Sequence, residues 1–294
     1  MKKKVNLMPD CQFPKRIEIE LASACNLKCN YCPRHFMDDL NGFMDFSLYK
    51  RLIDEIADHP KTIIVLHRRG ESLLHPQFIE MLNYIRGKFK TIQLATNATL
   101  LNKEKAQAII NTVTFLSFSI DTPHKFEKAR TPAKYQKVEA NILKFLKMNK
   151  AQGNRVNTQV SMVRTDHTPE TETAVFQKIW EHKVDRVRIY DQHSENGVFG
   201  SMRQKRSIRK PCVMPFYEML IYCDGTIGRC NHDWDGDPIG DITKVDIKQI
   251  WNNGVYQDLR QQQKTLMITD SVCASCDSWY PREGEQGTGK VIEK

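Results

Sequence analysis

The stretch ELASACNLKCNYCPRHF, residues 20–36, holds three cysteines within eight positions: Cys25, Cys29 and Cys32. A β-rich run, RIEIELA, leads into it. The segment FSLYKRLIDEIADH follows, with Leu48, Leu52 and Ile56 recurring every four residues as on one helix face. Disulfide frameworks pair their cysteines, and structural zinc sites usually use two separated ligand pairs. Three clustered thiols suggest instead a metal centre with one position left open. Three thiolates can hold three irons of a 4Fe–4S cubane and leave the fourth iron to an external ligand. Zinc completed by His35, and plain buried thiols, are the competing readings.

Outward from this stretch, strand-like runs alternate with amphipathic segments as far as about residue 191. The runs are RIEIELA, TIIVLH, TIQLAT, TVTFLSFSI, VNTQVSMV and VDRVRIY. Between the fourth and fifth lies YQKVEANILKFLKM, where Val138, Ile142 and Phe145 share a face. Six such alternations imply parallel strands joined by right-handed crossovers, three-quarters of an eight-fold barrel. We expect an open, partial (β/α)6 barrel of the TIM type, with a doubly wound sheet as second choice. In barrels, chemistry collects at the C-terminal strand ends. Those ends read ASACNLKCNYC, HRRGES, TNAT and IDTP, all small, polar or cysteine-rich.

The chain has 294 residues, room for one large domain or one with a small appendage. Its nine cysteines stand at positions 11, 25, 29, 32, 212, 223, 230, 273 and 276, in two groups with none between. No apolar run is long enough for a membrane helix, and MKKKVNLMPD lacks the apolar region of a signal peptide, so a cytoplasmic chain is expected. Net charge is +9, densest in RQKRSIRK, residues 203–210, which reads as an anion-attracting patch or as a solvated loop. Without interleaved aromatics it does not indicate nucleic acid.

C-x3-C-x2-C after the first strand of a partial barrel, with Tyr31 just before the last cysteine, resembles the radical S-adenosylmethionine (radical SAM) superfamily. The resemblance runs over roughly residues 15–191. Gly70 and Glu71 match that family's Gly-Gly-Glu-Pro-like segment, whereas Arg69 and Ser72 depart from it. Thr96-Asn97-Ala98 is similar to its Thr-Asn-Gly, and Ser119-Ile120-Asp121 to its Ser-x-Asp. The resemblance implies a 4Fe–4S cluster on Cys25, Cys29 and Cys32, and S-adenosylmethionine (SAM) contacts at Tyr31, Gly70, Glu71, Thr96, Asn97, Ser119 and Asp121. Alone, Thr96, Asn97 and Ser119 fit ordinary turn chemistry. It further implies reductive cleavage of SAM to a 5′-deoxyadenosyl radical that takes hydrogen from substrate, and a flavodoxin- or ferredoxin-type electron donor.

Cys212, Cys230, Cys273 and Cys276 are separated by 17, 42 and 2 residues, a four-thiol set suited to iron–sulfur or zinc. EMLIYCDGTIGRC has a hairpin signature with Asp224-Gly225 at the turn, DIKQIWNNGVYQDLRQQ reads as a helix, and REGEQGTGKVIEK reads as a loose tail. This region resembles the SPASM domain in its truncated, twitch form, which implies one auxiliary 4Fe–4S cluster. The expected division is a barrel at 1–195, a basic linker at 196–210 and the twitch-like domain at 211–294. Cys223 reads as a buried thiol, an alternative ligand, or a hydrogen-atom donor to a substrate radical; Cys11 reads as structural or incidental. An electron-accepting cluster implies alcohol oxidation, with a base among Arg188, Tyr190, His193 and Glu195, of which His193 titrates nearest neutrality. Arg164 and Arg188 either reach an anionic or hydroxylated substrate or pair with buried acids. A dehydrogenase or epimerase of a small polyhydroxylated or amino-sugar substrate ranks first. A maturase of a peptide or protein side chain ranks second, since the first strand starts too early for a preceding peptide-recognition domain. A non-catalytic iron–sulfur or zinc protein ranks third.

Overall fold

The computed structural model describes residues 12–37, 40–192, 209–234, 236–276 and 289–293. All six runs form strands: β1 (Arg16–Ile19), β2 (Ile63–Val65), β3 (Ile92–Thr96), β4 (Phe115–Ser119), β5 (Asn157–Arg164) and β6 (Arg186–Asp191). Each pairs in parallel with the next. Helices α1 (Phe46–Ala57), α2 (Phe78–Ile85), α3 (Lys103–Thr112), α4 (Pro123–Ala129), α5 (Tyr135–Ala151) and α6 (Glu170–Trp180) make the connections. In α1, Asp45 caps the first turn by accepting from the Ser47 and Leu48 amides, and Tyr49, Leu52, Ile53 and Ile56 form the buried face. Leu48, expected on that face, is half-buried.

Alternation along β1 sorts the side chains. Ile17 and Ile19 join the apolar core, while Arg16 and Glu18 line the barrel interior. Gln93 of β3, Ser117 of β4, and Gln159 and Ser161 of β5 add to that interior, so its wall is polar although both faces of the strands are buried.

The C-terminal segment does not form a detached appendage. After α7 (Met214–Tyr217), β7 (Glu218–Ile221) pairs in parallel with β1, and β8 (Thr226–Gly228) and β9 (Gly240–Asp241) follow antiparallel. The barrel sheet and the hairpin are therefore one sheet. The turn is where Asp224-Gly225 predicts it: Gly225 has φ +89°, and an added Cβ would stand 2.7 Å from Thr243 Cγ2. Helices α8 (Ile247–Trp251), α9 (Gly254–Thr265) and α10 (Ser271–Ser275) complete the segment. The tail reading is corrected at its end: β10 (Gly289–Glu293) pairs antiparallel with β6 and covers an edge otherwise unpaired. The sheet order is β9-β8-β7-β1-β2-β3-β4-β5-β6-β10. No described helix is long and apolar enough to cross a membrane.

Candidate active site and a second cysteine cluster

Cys25, Cys29 and Cys32 are half-buried on the loop after β1 and line one chamber of about 340 Å3, within the ~300–1,000 Å3 usual for small-molecule sites. Gly70, Glu71, Thr96, Asn97 and Ser119 line the same chamber from the ends of β2, β3 and β4. The cysteine loop is anchored to the barrel. Lys28–Cys29 pair antiparallel with Arg130–Thr131, the Asn30 amide donates to the Ala129 carbonyl at 3.0 Å, and the Cys32 amide donates to the Cys29 carbonyl at 3.0 Å. The Tyr31 hydroxyl donates to Asp121 Oδ2 at 2.8 Å, and Arg130 Nε donates to the same oxygen at 2.6 Å. Asp121 itself is fully buried and does not line the chamber; it braces the loop. Burial pushes the thiols up, Cys29 to about 11, so a metal must displace their protons to bind. His35 Nε2 donates to the Cys29 carbonyl at 2.8 Å.

Glu71 is held on three sides, accepting from Thr96 Oγ1 at 2.7 Å, the Asn97 amide at 2.7 Å and the Leu73 amide at 3.1 Å. Burial raises its pKa against those bonds. The two departures from the family pattern have partners of their own. Arg69 grips Glu20 through Nε and Nη2, each at 2.8 Å, and Ser72 Oγ donates to the Leu66 carbonyl at 2.6 Å. Ala98 stands at φ +57°, the backbone region a glycine adopts most readily.

A second chamber of about 370 Å3 opens from the first, sharing His67, Arg68, Ala95, Ser119, Arg130 and Tyr190. On its wall Arg16 reaches Glu218 at 2.8 Å, Glu18 at 2.9 Å and Gln93 at 2.8 Å. Burial opposes ionisation of Glu18, but Arg16 outweighs it and keeps that carboxyl ionised. Burial, and then the charge of Glu18, push Glu218 upward. His67 opens HRRGES, and nothing in that run distinguishes it as a site residue. Its Nδ1 accepts from the Ala95 amide at 3.1 Å, so the neutral ring carries its proton on Nε2. Burial pulls its pKa down to about 4. The unfolded chain then takes up the His67 proton first as pH falls, so stability present above pH ~6.5 is lost toward pH 4, by up to about 1.4 kcal/mol per pH unit. His67→Gln is expected to flatten this stretch of the profile. Denaturant titrations at pH 7 and pH 5 check it, and equal losses in both proteins would show that the ring titrates normally.

Of the other expected residues, Tyr190 lines both chambers, while Arg188 is buried below it with Cζ 4.7 Å from the Tyr190 ring centre. Arg164 pairs with Asp191 at 2.7 Å and with the exposed Glu170 at 3.3 Å, so acids meet its charge, though neither is buried as expected. Cys223 lies buried in the hairpin turn against Ser23 and Gly42, and lines neither chamber. That position matches the buried-thiol reading better than the hydrogen-donor one. His193, Glu195 and Cys11 lie outside the described residues.

The remaining cysteines are gathered from three elements. Cys212 precedes α7, Cys230 follows β8, and Cys273 and Cys276 sit on and just after α10, whose cap Asp270 accepts from the Cys273 amide at 2.9 Å. Burial first, then the neighbouring thiols, raise Cys230; burial, then the Asp270 carboxylate and the neighbouring thiols, raise Cys273 to about 12. Arg209 Nη1 donates to the Cys273 and Cys276 carbonyls at 2.9 and 3.3 Å. Among the described residues no three His, Cys, Asp or Glu side chains converge on a single-ion site. An all-cysteine set on loops and caps is the donor chemistry of a 4Fe–4S cluster. Asn231, His232 and Trp234, just after Cys230, line the inner chamber, so the two cysteine sites flank one continuous space.

The chain matches the family model of the radical SAM superfamily over residues 19–189, and that of the SPASM iron–sulfur cluster-binding domain over residues 212–277. It is 29% identical over 109 residues to the tungsten-containing aldehyde ferredoxin oxidoreductase cofactor-modifying protein of Pyrococcus furiosus, covering 36% of this chain and 31% of that one. It is 30% identical over 97 residues to the antilisterial bacteriocin subtilosin biosynthesis protein AlbA of Bacillus subtilis, covering 33% of this chain and 21% of that one. The matches thus span less than a third of either relative. The crystal structure of BtrN in complex with AdoMet and 2-DOIA superposes with a TM-score of 0.62 at 18% identity, covering 95% of this chain and 98% of that one. At that identity the likeness is one of fold.

Proposed function

Because this chain belongs to the radical SAM superfamily and carries a SPASM iron–sulfur domain, we propose that it is a maturase that modifies a side chain of a peptide or protein by oxidation. Its cofactors are SAM and 4Fe–4S clusters. Cys25, Cys29 and Cys32 would hold one cluster, and Cys212, Cys230, Cys273 and Cys276 the other. The cofactors together supply a 5′-deoxyadenosyl radical that takes a hydrogen atom from substrate. The chain's own residues do the rest. Gly70 lets the backbone approach closely, Glu71 fixes Thr96 and the Asn97 amide at the chamber wall, and the Tyr31–Asp121–Arg130 brace holds the cysteine loop against the barrel. The chambers would hold the reacting carbon in place. The observation that carries the oxidative reading is that Asn231, His232 and Trp234, just after Cys230, form part of the wall of the inner chamber.

The peptide class is supported by the likeness to AlbA, named for the biosynthesis of a bacteriocin. It displaces the sugar or cyclitol reading to second place. That second reading retains one observation, the polar interior of Arg16, Glu18, Gln93 and Gln159, which suits a small hydroxylated guest. The discriminating assay is release of 5′-deoxyadenosine from anaerobically reconstituted, reduced protein. One arm contains peptides encoded beside its gene, the other amino-sugars and cyclitols. Release coupled to a mass change in a peptide is the expected result. Coupled loss of two hydrogens from a cyclitol, with peptides inert, would move the second reading ahead. An external electron donor of the flavodoxin or ferredoxin type would supply the reducing electron.

A further inference from the structure

Arg68 stands in HRRGES between His67 and the Glu20-bound Arg69. Its guanidinium reaches out of the barrel to the C-terminal cysteine site. Nη1 donates to the Asn231 carbonyl at 3.1 Å and Nη2 to the Cys230 carbonyl at 3.4 Å, with Cζ 5.0 Å from the Trp234 ring centre. Nε is buried and has no partner. No described carboxylate forms an ion pair with it: against its burial, Glu18, Glu20 and Cys230 raise its pKa through space, but the short contacts of the nearby acids go to other arginines. Glu18 and Glu218 hold Arg16, Glu20 holds Arg69, Asp121 holds Arg130, and Asp233 and Asp270 hold Arg229.

A buried guanidinium without a carboxylate is costly unless another anion lies close. The hydrogen bonds to Cys230 and Asn231 point to where that anion is. Four thiolates around a 4Fe–4S core leave a net negative charge, and the potential of such a cluster responds to nearby charge and hydrogen bonding. We propose that Arg68 is the counter-charge of the C-terminal cluster, a barrel residue that raises the reduction potential of the auxiliary site. The inference rests on the reading that Cys212, Cys230, Cys273 and Cys276 hold a 4Fe–4S cluster. Since Arg68 also lines both chambers, it is the link through which the contents of the chambers and the charge state of the auxiliary site sense one another.

The test is an EPR-monitored redox titration of the full chain with both clusters, comparing wild type with Arg68→Gln and Arg68→Lys. The signal that changes on adding SAM marks the first cluster and serves as internal reference. Arg68→Gln is expected to lower the midpoint of the other cluster until its reduced-to-oxidised ratio, at the wild-type midpoint, falls about tenfold, equivalent to ~59 mV for one electron. Arg68→Lys should fall less. An unchanged midpoint in Arg68→Gln with full iron overturns the proposal. If Arg68→Gln sheds the C-terminal iron, Arg68→Lys decides: retained iron upholds the charge role, and equal loss overturns it. Failure of the underlying cluster reading looks different, as zinc or no metal at this site in wild type.

Discussion

Replacing Cys25, Cys29 and Cys32 together by alanine is expected to halve the iron of the reconstituted protein, from about eight to about four per chain, and to reduce 5′-deoxyadenosine formation to background. The expectation follows from the independence of the two thiol sets. The Cys29 thiol is perturbed by Cys32 and Cys25, whereas Cys230 is perturbed by Cys212, Cys276 and Cys273. The first set rides on the loop after β1, tied to Ala129–Thr131. The second is assembled from the β8 end, the approach to α7, and α10. Removing three sulfurs from one loop leaves the backbone supports of the other untouched, including the Gln263 side chain that accepts from the Cys212 amide at 2.9 Å. Iron, sulfide and zinc analysis reads the result. Four irons retained in the triple variant means an independent auxiliary cluster. One zinc and no iron would make the C-terminal set structural, and the oxidative reading would fall with it. No metal of either kind would show that the two sets do not load independently.

The sequence carried those signals that are local. Each of the six strands carries a short β-rich run between amphipathic segments, a signal local to the chain. A left-handed turn needs a residue like Gly225, so Asp224-Gly225 announced the hairpin. Both cysteine sets were visible because spacing is a property of the chain itself. What stayed hidden depends on partners far away in the chain. Arg16 and Glu18 look like the solvent face of a strand until Glu218, two hundred positions later, arrives on β7 to share the guanidinium. Asp121 reads as a cofactor contact by its place at the end of β4. Tyr31 and Arg130 claim its carboxylate instead. Nothing in HRRGES says that His67 is locked by an amide of β3, or that Arg68 leaves the barrel for the carbonyl of Cys230. The pairing of Gly289–Glu293 with β6 is likewise a contact across a hundred positions, and a short run of mixed residues does not foretell it.

Gly70→Ala should be the most damaging single added methyl group among the described glycines, since its contacts are all backbone atoms. A Cβ there would stand 2.3 Å from the carbonyl oxygens of both Ala22 and Ala24, and 2.6 Å from the carbonyl carbon of Ser23. These are backbone atoms, so no rotamer change relieves the contact. The backbone cannot retreat freely either. The Glu71 amide donates to the Ala24 carbonyl at 2.8 Å, and the Ser23 amide donates to the Gly42 carbonyl at 3.0 Å. Relief must move either Ala24, and with it the adjacent Cys25, or Glu71, and with it the bonds to Thr96 and Asn97. Each route disturbs the chamber. Overpacking of this kind costs about 3 kcal/mol. For a chain of this size that is a fall in Tm of roughly 6–12 °C, and at ~1.4 kcal/mol per decade even half of it, felt at the chamber wall, weakens SAM binding about tenfold. Gly254→Ala is the matched control. Gly254 opens α9, and an added Cβ there meets nothing within 4 Å, so alanine should leave SAM binding unchanged and raise stability by about 0.4–1 kcal/mol. Thermal melts of the two variants and calorimetric titration with SAM compare them. If Gly70→Ala melted with wild type and bound SAM as tightly, the close approach of the β2 loop to the cysteine loop would not be what shapes the chamber.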